Sequence, residues 1–149
     1  MGPAGAGGVI RDDNGEWLMG FFEYLGHCLA LTVEIRAVIR GLKIAKELRA
    51  HRLWVRIDSR VLWGMLTNQN HGHPKYHFLV QQCRRLLQAT DWEVKITHCF
   101  SGNKSRCGQI SSSMHHRESE SWLLSIPAYE NSRCLVRRSH GHFMAQANS

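Results

Sequence analysis

Two acidic residues stand where the pattern of this chain calls for apolar ones. Glu34 aligns with Ala37, Val38, Gly41, Ala45 and Leu48, one buried stripe of a helix. Asp58 ends a short apolar strand that reads Leu53-Trp54-Val55-Arg56-Ile57. A carboxylate at the mouth of each of two consecutive core elements suggests a divalent-metal site, because hard cations take oxygen ligands. Each residue also has a plain structural role. A first-turn Glu is favoured by the helix dipole, and Asp58 beside Ser59 can share in capping the next helix. Two other candidates read more simply. His71 and His73 lie in the loop Asn68-Gln69-Asn70-His71-Gly72-His73-Pro74 with no third ligand nearby, so they read as loop histidines. Gly5, Gly7 and Gly8 precede no Gly-Lys-Ser/Thr, so close backbone packing suits them better than a phosphate loop.

The elements that must position the two acids follow from periodicity. Val9–Arg11 and Trp17–Phe22 flank Asp12-Asp13-Asn14-Gly15-Glu16, a hairpin signal, and Tyr24–Leu31 can form a third strand. Thr32 is placed to cap a helix from about Val33 to Arg49, with Arg36, Arg40, Lys43 and Glu47 on its polar face. The Leu53 strand reads as parallel to another, and Asp58 then falls at its carboxyl end, where open α/β sheets place ligands. Ser59 caps a short helix, Arg60–Thr67. Tyr76, Leu79, Val80, Cys83, Leu86 and Leu87 form the stripe of another helix, which leaves Arg84 and Arg85 outside it, able to touch phosphate but read by default as a solvated face. Trp92, Val94, Ile96, His98 and Phe100 alternate with polar residues as a last strand.

Composition sets the partner class. The 149 residues carry a net charge of +7, which favours a polyanion, with nucleic acid the first choice. The five cysteines form no C-x-x-C pair, and with no signal peptide they read as free intracellular thiols. No apolar run suits a membrane span. Serine divides the chain: residues 1–100 hold one, Ser59, and residues 101–149 hold eleven. Residues 1–100 are therefore read as a folded domain and 101–149 as an irregular basic tail.

Taken in order, Gly5-Ala6-Gly7-Gly8-Val9-Ile10-Arg11-Asp12, Val33-Glu34-Ile35-Arg36-Ala37, Ile57-Asp58-Ser59 and Ile96-Thr97-His98-Cys99-Phe100 resemble a ribonuclease H-like domain of plant retrotransposon type. His73-Pro74 before a helix with Leu79-Val80 and Cys83 fits as well. The resemblance covers about residues 3–100 and implies an α/β fold, a mixed sheet flanked by helices. It implies hydrolysis of RNA in RNA–DNA hybrids by four acidic residues and two Mg²⁺ ions, one generating hydroxide and the other stabilising the leaving oxygen. By position, Glu34 matches the second acid and Asp58 the third, as catalytic residues and metal ligands.

The same resemblance exposes departures. Its first acid belongs to an Asp-Gly strand upstream of the Gly-rich start. That strand lies between the Val9 and Leu53 strands, and its loss is expected to leave two central ladders unpaired. Its fourth acid should follow Phe100 in a pattern like R-E-x-N-x-x-A-D-x-L-A, where Ser101-Gly102-Asn103-Lys104-Ser105-Arg106-Cys107-Gly108 stands instead. Codons shifted by one base from Ser101 onward can encode F-R-E-T-N-R-x-A-D-K-L-A, so residues 101–149 read as an out-of-frame tail. The expectation is thus a truncated hybrid ribonuclease domain, impaired in cleavage. A non-catalytic nucleic-acid-binding remnant and a non-functional pseudogene product are the competing readings.

Overall fold

The computed structural model describes residues 2–68, 72–99 and 121–126. Strands β1 (Gly2–Arg11) and β2 (Trp17–Cys28) form an antiparallel hairpin. Its turn is closed by the Asp12 carboxylate, which accepts from Asn14 N at 3.0 Å and Glu16 N at 2.8 Å. Gly15 there adopts φ +80, a conformation that needs a glycine. The separate third strand expected at Tyr24–Leu31 does not form; β2 runs unbroken to Cys28. The Gly-rich stretch is strand, not loop. A Cβ on Gly8 would lie 2.7 Å from the Phe21 ring and 2.9 Å from Ile126 Cδ1, so close packing is its role.

Helix α1 (Ala30–Glu47) starts three residues earlier than the Val33 expected, with Leu29 as N-cap and no side-chain cap. Thr32 therefore lies inside the helix. The chain leaves α1 through Arg49, a non-glycine residue at φ 61, and Ala50 N closes the end on Ala45 O at 3.0 Å. Ala37, Val38, Gly41 and Ala45 of the expected stripe are buried, whereas Leu48 is exposed. Val33, Ile35, Ile39, Leu42 and Ile44 are buried too, because α1 packs on the sheet with one side and on α3 with another. Strand β3 (Arg52–Ile57) leads into α2 (Arg60–Thr67), capped by Ser59 Oγ accepting from Leu62 N at 3.3 Å. A 3-10 turn (Pro74–Tyr76) opens α3 (His77–Leu87), and β4 (Glu93–His98) lies parallel to β3.

Residues Ser121–Ile126 form a fifth strand, β5, within the segment read as an irregular tail. The sheet order is β2-β1-β5-β3-β4, so β5 occupies the place between the Val9 and Leu53 strands. It runs antiparallel to β1 through Val9, Ile10 and Arg11, and parallel to β3 along the whole of Arg52–Ile57. The ladders that the sequence leaves open are closed here by a strand from the other end of the chain. Trp122, Leu124 and Ile126 point to the face that carries Ile10, Val55 and Ile57, and Leu124 is fully buried. A Cβ on Gly41 of α1 would meet Leu124 Cδ2 at 2.6 Å, so that glycine admits β5 to the core. The burial of Leu124 and Ile126 contributes about 1.5–3 kcal/mol each. The chain past Phe100 is thus not wholly irregular; the reason is the alternation Trp122, Leu124, Ile126 between two strands that lack a partner.

One core joins alternate residues of the strands to the buried sides of all three helices. The opposite face of the sheet carries no helix among the described residues.

Candidate functional site

The topology brings the two predicted acids to one end of the sheet. β3 and β5 point the same way, and β1 runs against them, so the start of β1 lies at the carboxyl ends of β3 and β5. β2 finishes opposite Gly2, and α1 begins there, which puts Glu34 at the end of the sheet where β3 delivers Asp58. Both side chains are half-buried. Glu34 sits in the second turn of α1, and no acidic residue lies in the first. The dipole effect fades beyond the first turn, so it gives a weaker account of this residue than the sequence suggested.

Asp58 is held by its backbone. Cys99 N donates to Ile57 O at 2.9 Å and continues the β3–β4 ladder past its end. His98 Nε2 lies 3.2 Å from the Asp58 carbonyl oxygen, in hydrogen-bond contact. The His98 ring also stands 6.3 Å from that of Trp63 on α2. His98 was missed as a neighbour of the site by sequence reasoning. Its signal was the register that sets it beside Ile57 at the end of β4. Ser59 serves as the cap, so Asp58 is not needed for that role.

Among the described residues the donor set is too small for a two-ion centre. Among the described residues no three of His, Cys, Asp and Glu are placed to hold a metal ion. β5, in the place of the strand expected to bring the first acid, reads Ser-Trp-Leu-Leu-Ser-Ile and brings none. The region expected to hold the fourth acid lies outside the described residues. His73 accepts from Lys75 N at 3.2 Å through Nδ1, a local turn contact, and His71 lies outside the described residues.

Two further expectations change. Arg84 does not face solvent alone: its Nη2 donates to Met65 O at 2.6 Å and Asn68 O at 2.5 Å, tying α3 to the end of α2. Cys28 and Cys83 are free, as read, but Cys99 is disulfide-bonded. Burial pushes the Cys83 thiol up to about 12, so it is a packing group. Burial also lowers the Arg56 guanidinium below its ordinary value, on a strand where its Nη2 donates to Cys99 Sγ at 3.3 Å. No helix among the described residues is long and apolar enough to cross a membrane.

Comparison with known proteins places this geometry. The ribonuclease H1 of Halobacterium salinarum superposes with a TM-score of 0.62 at 24% identity, covering 68% of this chain and 77% of that one. A compost-derived ribonuclease H1, solved in complex with an RNA/DNA hybrid, superposes with a TM-score of 0.62 at 21% identity, covering 70% and 80%. These likenesses establish the fold. An Arabidopsis thaliana protein with a ribonuclease H name is 41% identical over 100 residues. That stretch is 66% of this chain and 16% of the relative's length. Residues 1–115 match the reverse transcriptase-like family. The chain belongs to that family and has the ribonuclease H-like fold.

Proposed function

We propose that this chain is a nucleic-acid-binding domain that holds RNA–DNA hybrid at the carboxylate end of its sheet and cleaves it little or not at all. The carrying observation is the central strand. β5 completes the sheet between β1 and β3 but offers no carboxylate, and among the described residues no three potential ligands are grouped to hold a metal ion. A two-ion displacement needs ligands on both the attacking and the leaving side. Glu34 and Asp58 are then the remnants of a Mg²⁺ site, and no step is derived through the metal. Hybrid recognition rests on 2′-OH and phosphate contacts, not on base sequence, and the net charge of +7 supports it. The filled sheet also argues against an unfolded pseudogene product, because the buried ladders have partners.

The test is a binding and cleavage assay of the purified chain with labelled hybrid and Mg²⁺. Salt-sensitive binding is expected, unchanged by Glu34→Gln, with cleavage at least about 10³-fold below that of an intact hybrid ribonuclease. Cleavage at a comparable rate, abolished by Asp58→Asn, would refute the reading.

A further inference from the structure

The face of the sheet turned away from the helices has a composition of its own. The register places Trp54, Leu123 and Lys95 side by side across β3, β5 and β4. Arg11 lies opposite Leu123 and Trp17, Gly7 opposite Phe22, and Gly5 opposite Tyr24. Alternate strand residues share a face, so Trp17, Phe22, Tyr24 and Trp54 all lie here. None of them joins the core that the helices cover. Three stand exposed on the edge strand β2: Trp17 at 44%, Phe22 at 48% and Tyr24 at 66%.

Glycines make beds for two of these rings. A Cβ on Gly20 would fall 2.6 Å from Trp17 Cζ2, and one on Gly5 would collide with the Phe22 ring. Trp17 and Phe22 therefore lie against bare backbone and turn their outer sides to solvent. Such rings form a stacking surface, because every nucleobase presents a π-face.

Charge selects the occupant. Arg11, Arg52, Arg56 and Lys95 share this face with a single described strand acid, Glu93, which Arg52 engages at 3.2 Å. Lys95 Nζ stands 5.4 Å from the Trp54 ring centre, and the Trp54 indole is fixed by donating to Thr97 Oγ1 at 2.7 Å. Rings on β2 and β3 interspersed with cations on β1, β3 and β4 match a ligand that presents both bases and phosphates. A double helix keeps its bases inside; a single strand offers both.

We infer that the face of the sheet turned away from α1, α2 and α3 binds single-stranded nucleic acid, stacking bases on Trp17, Phe22 and Tyr24 while Arg11 and Lys95 take phosphates. Its exposed rings lie on edge strand β2, on the face away from α1, whereas Asp58 follows β3, three strands across, and Glu34 lies on α1; the inference does not rest on the hybrid reading.

The experiment uses the full chain and a labelled oligothymidylate of about 12 nucleotides, within the span of known stacking surfaces, followed by fluorescence anisotropy. Tyr24→Ala, at the most exposed of the three rings, is expected to weaken binding about 5- to 100-fold. Tyr24→Phe should keep it within about 2-fold, since the ring remains. Lys95→Ala should weaken it and lower the salt slope by about one ion. Hybrid affinity should not change with Tyr24→Ala. Equal affinity of wild type and Tyr24→Ala for the oligothymidylate would overturn the inference. So would a chain that ignores the oligothymidylate but forms a dimer that Tyr24→Ala dissolves, which would make the face a protein interface. Failure of hybrid binding alone would strike the proposed function and leave this inference standing.

Discussion

The middle of the sheet and its carboxyl end are a few residues apart, and β5 serves them differently. In the middle, β5 supplies what a central strand must supply: hydrogen-bond partners on both sides and apolar side chains on the packed face. At the end, the same strand brings Ser125 and Ile126 where the resemblance expects an acid. Packing accepts any six-residue alternation of suitable volume. Chemistry needs one functional group at one place. A segment can therefore complete the fold while bringing no carboxylate to the sheet's end.

The largest effect should come from attacking β5. Leu124→Asp puts an unpaired charge at a fully buried position, and a loss of about 4 kcal/mol or more, read as the absence of a cooperative melting transition, is expected. If the variant melts like the wild type, β5 does not belong to the core. Leu124→Ala is the graded version, at about 2–5 kcal/mol.

Next in size is the seat of that strand on α1. Gly41→Val should cost about 1–3 kcal/mol through overpacking against Leu124. Combined with Leu124→Ala it should cost less than the sum, and a double-mutant cycle by urea unfolding measures the difference. Simple additivity would show that Gly41 and Leu124 do not touch.

The packed side also carries a pH signature. Cys83 is raised from 9.0 to about 12 by burial. A thiol that must stay neutral when folded contributes its full stability below the unfolded value. That stability is lost as pH rises from there toward the folded value, at about 1.4 kcal/mol per unit. Melting temperature should fall between pH 9 and 10.5 more steeply in the wild type than in Cys83→Ala. Equal slopes would place Cys83 in contact with solvent.

The smallest effect belongs to the site end. Glu34→Gln and Asp58→Asn should each change stability by less than about 1 kcal/mol and leave hybrid binding within about 2-fold, measured by melting and anisotropy. A loss of several kcal/mol in either variant would give that carboxylate a structural role.

Much of the frame is legible in the chain because its signals are local. The hairpin is announced by Asn14-Gly15, the α2 cap by Ser59, and the buried side of α1 by its spacing. Glu34 and Asp58 are legible because each interrupts an apolar pattern at the end of an element. β5 is harder to read. Its alternation is short, it lies among serines, and its partners are more than sixty residues away in sequence. The start of α1 is misread because Thr32 has the chemistry of a cap, while the helix begins at Ala30 without one. Arg84 is misread because its acceptors, Met65 O and Asn68 O, become neighbours only when α3 packs on α2.

The claim that β5 completes the sheet is tested most directly by hydrogen exchange. Amides of Leu123 to Ile126 should exchange as slowly as those of Val55 to Ile57 on the neighbouring strand, both opening with the global unfolding of the domain. Exchange of Leu123 to Ile126 at the rate of an unstructured peptide, beside a protected β3, would contradict the account.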